Sequence, residues 1–367
     1  MIPVTDVSLG GNELAYVTDC IKTGWVSSLG KYVREFEERF SQYCGAKYGI
    51  ATSNGTTALH LGLAVLGIGP GDEVIVPTLT FIATANAVTY TGARPVFVDS
   101  EPQTWNMDPA RIEEKITGCT KAIIPVHLYG HPADMDPILE IAKRHHLYVI
   151  EDAAEAHGAL YKGRRAGSLG DMSCFSFYGN KIITTGEGGM VLTDNAEWAE
   201  RARSLRDHGM SKEKRYWHPE IGFNYRLTNL QAALGVAQLE RIEEIIAAKR
   251  RNAALYNGLL RSVPGISLPP EASWARNVYW MYSILAEDSY GLARDELMKE
   301  LKARDIDSRP FFYPIHTMPP YQAGAEGQEF PVATELSRKG LNLPSSATLT
   351  PQQITQICQV LKDNVEG

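Results

Sequence analysis

The stretch "SFYGNKIITTGEGGM" at residues 176–190 contains a single lysine, Lys181, between an aromatic run and a glycine cluster. Gly179 and Asn180 favour a turn before the lysine, and the glycines after it permit close approach of backbone or ligand. The flanking runs "MSCFSF" and "GMVLTD" are typical of β-strands. Lys181 is therefore predicted to lie in a short connection between two strands, where burial would favour the neutral, nucleophilic amine. An exposed loop lysine is the alternative that this stretch alone leaves open.

Outward from this stretch, residues 50–195 alternate short apolar runs with helical patterns. Strand-like runs such as "DEVIVP", "RPVFVDS" and "HLYVIEDAA" are separated by helical runs such as "TTALHLGLAVLG", "FIATANAVTYTG" and "DPARIEEKI". This alternation predicts an α/β domain with a mostly parallel sheet. One long helix is predicted over 227–258, with the domain boundary inside it. We therefore expect a large α/β domain at 1–245, with residues 1–25 as an N-terminal arm, and a smaller α+β domain at 246–367.

Composition disfavours several classes of protein. Lys and Arg total 36 against 43 Asp and Glu, and the resulting net charge of −7 disfavours a nucleic acid partner. The five cysteines are odd in number and lack C-x-x-C spacing, so neither a disulfide framework nor a metal site is expected. No run approaches the roughly 18 apolar residues that span a bilayer, and the first residues do not resemble a signal peptide. A cytoplasmic protein without metal or membrane segment is expected.

Three further motifs could share one ligand with Lys181. Asp152 in "YVIEDAAEAHGA" ends an apolar strand, where its carboxylate could pair with a protonated pyridine nitrogen or cap a helix. Residues 53–57, "SNGTT", precede a helical run and could bind a phosphate or form an ordinary capping box. Phe81 could cover a planar cofactor or pack in the core. Pyridoxal 5′-phosphate would satisfy all four features.

The order and approximate spacing of these motifs resemble the nucleotide-sugar aminotransferases, a pyridoxal phosphate-dependent family with the aspartate aminotransferase fold, fold type I. The resemblance covers nearly the whole chain and rests on "SNGTTALHL", "DEVIVPTLTFIATANAV", "VHLYGHPADM", "VIEDAAEAHGA" and "FSFYGNKIITTGEGGMV". It implies the fold type I architecture, with the N-terminal arm near the active site. It also implies transamination, because a dehydratase branch of the family carries His where Lys181 stands.

The resemblance implies a role for each cofactor-binding residue. Lys181 would hold the cofactor covalently and later act as general acid and base, and Asp152 would pair with the ring nitrogen. Phe81 would stack on the ring, and Glu155 would lie near the phenolic oxygen, where many relatives have Gln. The phosphate contacts would be Gly55, Thr56 and Ser176 and, in a homodimer with shared active sites, Asn224 of the partner subunit.

The resemblance extends to a substrate. "QTWNMD", "RYWHPEIGFNYRLTN" and "SRPFFYPIHTMPPY" resemble the branch that moves an amino group from L-glutamate to C4 of GDP-4-keto-6-deoxy-D-mannose for O-antigen, lipopolysaccharide or other surface polysaccharide synthesis. A UDP- or dTDP-linked 4-keto-6-deoxy sugar is the alternative, and a non-catalytic pyridoxal phosphate-binding regulator is an alternative from another class. The basic segment 201–218 suits either a solvated loop or a diphosphate contact. The candidate substrate contacts are Trp25, Ser27, Arg215, Arg309, Tyr313 and His316.

Overall fold

The structure is a computed structural model that describes residues 1–364. Its strands in chain order are β1 (Tyr48–Thr52), β2 (Glu73–Pro77), β3 (Arg94–Val98), β4 (Thr120–Ile123), β5 (Tyr148–Asp152), β6 (Leu160–Tyr161), β7 (Arg164–Arg165), β8 (Met172–Ser176), β9 (Gly189–Thr193), β10 (Ile266–Ser267), β11 (Ala275–Arg276), β12 (Tyr282–Ala286), β13 (Arg309–Pro310) and β14 (Gly340–Leu343). Its α-helices are α1 (Glu13–Thr23), α2 (Lys31–Cys44), α3 (Gly55–Val65), α4 (Ala83–Tyr90), α5 (Met135–His145), α6 (Ala196–Arg206), α7 (Asn229–Glu240), α8 (Ile242–Leu260), α9 (Arg294–Ala303), α10 (Pro331–Lys339) and α11 (Pro351–Asp363). Within residues 1–364, none of these helices is long and apolar enough to cross a membrane.

The central sheet has the strand order β1-β9-β8-β5-β4-β2-β3. β9 runs antiparallel to both of its neighbours, and the other pairings are parallel. Apolar clusters cover both faces of the sheet, so β2, β8 and β9 are buried along their whole length. Because β5 and β8 are parallel, Asp152 and Ser176 at their ends lie at the same edge of the sheet. The predicted mostly parallel α/β domain is confirmed.

A smaller antiparallel sheet lies in the C-terminal part of the chain. Its strand order is β10-β12-β14-β13, and α8, α9 and α11 contribute to the same apolar core. The rings of Tyr256 and Tyr282 stack there with their centroids 4.3 Å apart. The smaller α+β unit is therefore present, and the boundary at 245/246, which falls within α8, stays a prediction.

Two predicted helices differ from the structure. The single helix expected over 227–258 is interrupted at Arg241 (φ −113°, ψ 8°), so that α7 packs against α1 and α2 while α8 packs against α11. The helix expected in "DPARIEEKI" is replaced by two 3-10 turns, Pro109–Arg111 and Glu113–Lys115. Ile112 is the fully buried side chain of that segment, and so small an apolar face gives a helix little tertiary support.

Candidate active site

A cavity of about 480 Å³ lies at the carboxyl ends of β5 and β8. The N-terminus of α3 and the connection between β8 and β9 line it on the large-domain side, and segments around Trp280, Phe312 and Asn342 line it on the other side. It brings together many of the residues predicted from sequence, namely Gly55, Thr56, Phe81, Asp152, Glu155, Ser176, Lys181 and Arg309.

The N-terminus of α3 lies at one end of the cavity, and its free amides suit an anion. The Asn54 side chain accepts a hydrogen bond from the Thr57 amide (2.9 Å), and the Thr57 hydroxyl accepts one from the Asn54 amide (3.1 Å). This capping box leaves the first-turn amides of Gly55 and Thr56, which have no intrahelical acceptor, for a ligand. Gly55 is required by close packing, because a Cβ there would lie 2.7 Å from Cβ of Ser176. The capping box is therefore compatible with anion binding at the same N-terminus.

Asp152 is buried at the end of β5. The Thr84 hydroxyl donates to its Oδ2 (2.7 Å), and the Ala154 amide donates to its Oδ1 (3.2 Å). Burial raises the pKa of Asp152, and these hydrogen bonds and the charge of Lys181 oppose the effect. The carboxylate does not cap a helix, since turns follow it. A cation placed at this carboxylate, such as a protonated pyridine nitrogen, would keep it ionised.

Lys181 lies in the connection between β8 and β9, as expected, and only 11% of its side chain is exposed. Its Nζ lies 3.9 Å from Oε1 of Glu155 and 3.8 Å from the ring centroid of Trp280. Burial lowers the pKa of Lys181, while the carboxylates of Glu155 and Asp152 act in the opposite direction. Lys181 is therefore a largely buried cavity residue and not an exposed loop lysine.

Glu155 is the second buried carboxylate beside this amine. Its Oε2 accepts a hydrogen bond from the Tyr129 amide (2.7 Å). Burial raises the pKa of Glu155, and the charge of Lys181 opposes that rise. The two side chains can therefore share one proton between them, because ionising both in a buried site is costly.

Other residues predicted from sequence lie outside the cavity lining in the described part of the chain: Trp25, Ser27, Arg215, Asn224, Tyr313 and His316. Nδ1 of His316 lies 2.7 Å from the Thr78 hydroxyl, and its ring stacks on Phe330 with centroids 4.4 Å apart. The other five side chains belong to exposed residues.

The basic segment 201–218 divides into two parts. Its first part lies in α6, where Arg206 pairs with Glu37 (2.5 Å) and Arg203 with Glu200 (2.9 Å). Its second part is an exposed loop in which the Arg215 guanidinium lies 4.9 Å from the Tyr216 ring centroid. The ion pairs favour a structural role for Arg203 and Arg206, whereas Arg215 in the exposed loop is accessible to a diphosphate.

The sequence interpretation missed several residues that contact the predicted ones. Thr84 lies in the first turn of α4, three positions after Phe81, and its hydrogen bond to Asp152 spans two distant segments that no local pattern connects. Tyr129, Trp280 and Phe312 come from distant segments. Tyr129 and Phe312 lie in the stretches "VHLYGHPADM" and "SRPFFYPIHTMPPY", but no residue pattern there assigns their side chains to the cavity. Phe312 packs against both Phe81 and Tyr129, with centroids 5.8 and 5.2 Å apart.

The backbone amides and side chains that line this cavity fit pyridoxal 5′-phosphate. The anion site suits its phosphate, the buried carboxylate of Asp152 suits its ring nitrogen, and the half-exposed Phe81 offers a ring face. Lys181 supplies the amine that its aldehyde requires. The fold and this site thus define the class of the protein as a pyridoxal phosphate-dependent aminotransferase.

The chain belongs to the DegT/DnrJ/EryC1/StrS aminotransferase family, whose model matches residues 7–362. It is 52% identical over 361 residues to a protein of Caulobacter vibrioides named GDP-perosamine synthase, covering 98% of this chain and 97% of that one. It is 47% identical over 362 residues to the GDP-perosamine synthase of Escherichia coli O157:H7, covering 99% and 98%. Among solved structures it is similar to DesV of S. venezuelae, with 39% identity, a TM-score of 0.91 and coverage of 97% and 95%. The resemblance, fold class, enzyme class and cofactor predicted from sequence are confirmed.

Proposed function

We propose that this aminotransferase moves an amino group from L-glutamate to C4 of GDP-4-keto-6-deoxy-D-mannose, giving GDP-perosamine and 2-oxoglutarate. The observation that carries the proposal is the convergence of the Lys181 amine, the Asp152 carboxylate and the α3 anion site on one cavity. The names of two relatives that match almost the full length of the chain support the choice of sugar.

In this proposal the chain's own groups bind and orient the cofactor. The amides of Gly55 and Thr56 and the hydroxyl of Ser176 hold the phosphate. Asp152 keeps a proton on the ring nitrogen, and Phe81 covers the ring. When bound, pyridoxal phosphate supplies the electron sink and carries the amino group between the two substrates.

Lys181 moves the protons of the reaction. Because burial lowers its pKa, Nζ is neutral more often than the amine of an exposed lysine and is better suited to act as a base. It removes the proton from Cα of L-glutamate in the first half-reaction and delivers a proton to C4 of the sugar in the second. Glu155 lies 3.9 Å from this amine, close enough for its charge to influence the proton that Nζ carries.

We further propose a homodimer with shared active sites, in which Asn224 of the partner subunit reaches the phosphate. Asn224 is exposed and lies outside the cavity lining of its own chain, which supports this arrangement. Leu14 and Ile21, two turns apart on α1, are 81% and 64% exposed, as expected of a surface that a second copy covers. The substrate contacts, the cytoplasmic location and the role in O-antigen synthesis are part of the same proposal.

Product analysis tests this function. The purified protein is incubated with L-glutamate and GDP-4-keto-6-deoxy-D-mannose, and separately with UDP- and dTDP-linked 4-keto-6-deoxy sugars, and each product is identified by mass spectrometry. We expect amination of the GDP-linked sugar, its loss in Lys181→Ala, and its retention in Lys302→Ala, which changes an exposed lysine on α9. Preferential amination of a UDP- or dTDP-linked sugar would replace the proposed substrate, and no product from any of them would refute the proposal.

A further inference from the structure

Trp280 joins the smaller domain to the connection that carries Lys181. It lies just before β12 and is only 4% exposed. Its indole Nε1–H donates a hydrogen bond to the carbonyl oxygen of Asn180 (2.7 Å). The ring of the same side chain faces Lys181, whose Nζ lies 3.8 Å from the ring centroid. One side chain thus contacts both the backbone before Lys181 and its amine.

The backbone around Trp280 includes two residues with positive φ angles, Tyr279 before it and Gly130 in contact with it. Tyr279 has a φ of 48°, and its amide donates to the Asn277 side chain (2.7 Å). Gly130 has a φ of 102°, and a Cβ there would lie 2.8 Å from the backbone nitrogen of Trp280. The Val278 amide donates to the Gly130 carbonyl (3.1 Å). Because a non-glycine residue keeps a positive φ only where surrounding contacts impose it, the contacts of Tyr279 help to fix the backbone that carries the indole.

The indole and Glu155 border the same amine. Oε1 of Glu155 lies 3.9 Å from Nζ of Lys181, and the other carboxylate oxygen is held by the Tyr129 amide. The Tyr129 ring in turn stacks on Trp280 at 6.2 Å and 22°. A ring face and a carboxylate both favour an ammonium ion, and they therefore oppose the lowering of the Lys181 pKa by burial.

We propose that Trp280 is a positioning residue for Lys181. Its N–H holds the Asn180 carbonyl, and its ring face holds the amine in the cavity beside Glu155 whenever the amine is not covalently engaged. This inference rests on the proposed role of Lys181. Trp280, a residue of the smaller domain, thus helps to control Lys181, the group that moves the protons of the reaction.

The charge state of Lys181 in the full-length, cofactor-free protein tests this role. Trace acetylation with acetic anhydride across a range of pH, followed by mass spectrometry of the Lys181 peptide, gives the pKa of this amine. We expect Trp280→Leu to lower that pKa by about one pH unit, because it removes the ring face from a desolvated amine. Trp280→Phe retains a weaker ring face and should lower it by less.

The matched control is Trp274→Phe, because Trp274 packs on Tyr161 and His131 away from the cavity and should leave the pKa of Lys181 unchanged. A wild-type pKa in both Trp280 variants would overturn the positioning role. If Trp280→Leu does not fold, a wild-type pKa in Trp280→Phe alone would overturn it.

A separate measurement distinguishes this inference from the proposed function. Wild-type protein loaded with pyridoxal phosphate is reduced with borohydride, and the modified peptide is mapped. Absence of label on Lys181 would refute the proposed function. Label on Lys181 together with an unchanged pKa in the Trp280 variants would refute only the role of Trp280.

Discussion

At the scale of single residues, the charge of the Lys181 amine depends on opposing effects. Burial lowers its pKa, and this effect exceeds the combined influence of the Glu155 and Asp152 carboxylates. Each pKa unit corresponds to about 1.4 kcal/mol between the two protonation states, so modest changes in the surroundings alter the fraction of neutral amine severalfold. A lysine in such a site has a lower pKa than an exposed lysine and releases its proton more readily.

Glu155→Gln should change how the stability of the cofactor-free protein depends on pH. Burial raises the folded-state pKa of Glu155 above its ordinary 4.5, so the carboxyl contributes stability that is fully present below the unfolded pKa and lost as pH rises through the folded pKa. Glutamine has no such proton to lose. We expect the free energy of unfolding of the variant minus that of wild type to increase by about 1–2 kcal/mol as the pH rises from about 5 to about 8. Urea denaturation at several pH values measures this difference.

Loss of the Glu155 carboxylate also lowers the pKa of Lys181, which increases the relative stability of the variant at higher pH and so acts in the same direction. Glu114→Gln is the matched control, because Glu114 is exposed. Parallel pH profiles of Glu155→Gln and wild type would contradict the expectation.

At the scale of elements, the proposed phosphate site would depend on the contact between the N-terminus of α3 and the end of β8. Gly55→Ala should weaken pyridoxal phosphate binding about tenfold, because overpacking against Ser176 costs about 1–3 kcal/mol. Titration of the cofactor-free protein, followed by absorbance, measures the affinity.

Gly62→Ala provides a control in the same helix. Its added Cβ would lie 3.6 Å from the nearest atom, Sγ of Cys174, which is an ordinary contact. Alanine also has the higher helix propensity, so we expect a gain of about 0.5–1 kcal/mol in unfolding free energy and wild-type cofactor affinity. Equal weakening by both substitutions would show that the contact between α3 and β8 does not control binding.

Local sequence patterns predicted most of the elements but not every interruption. β2, β5 and β8 are short apolar runs bounded by turn residues, so their positions follow from the sequence. The break between α7 and α8 does not, because Arg241 lies in a run of helix-forming residues without glycine or proline. The break depends on which helices each half packs against, and a local sequence pattern does not contain such tertiary contacts.

At the scale of the whole molecule, the cofactor side of the cavity could be predicted, whereas on the opposite side Arg309 alone was predicted among the described residues. Asp152, Ser176 and Lys181 lie within or beside strands of one sheet, and parallel strand ends converge wherever such a sheet forms. Trp280 and Phe312 reach the cavity only through packing of the smaller domain. In the proposed homodimer, the position of exposed substrate candidates such as Arg215 relative to a bound sugar would depend on both chains.

Complementation between two inactive variants tests whether two copies share their active sites. Lys181→Ala removes the amine from its own site, and Asn224→Asp places a carboxylate against the phosphate in the partner's site. Each variant alone should be inactive, but a heterodimer of the two contains one site with both substitutions and one with neither. Random assembly of differently tagged, co-expressed chains should therefore restore about a quarter of wild-type activity.

Lys181→Ala combined with Asp152→Ala is the control, since both residues line the cavity of their own chain and no intact site can form. Recovery in neither pair, or in both, would exclude the proposed sharing of Asn224, whereas recovery in the first pair alone would make the dimer the catalytic unit.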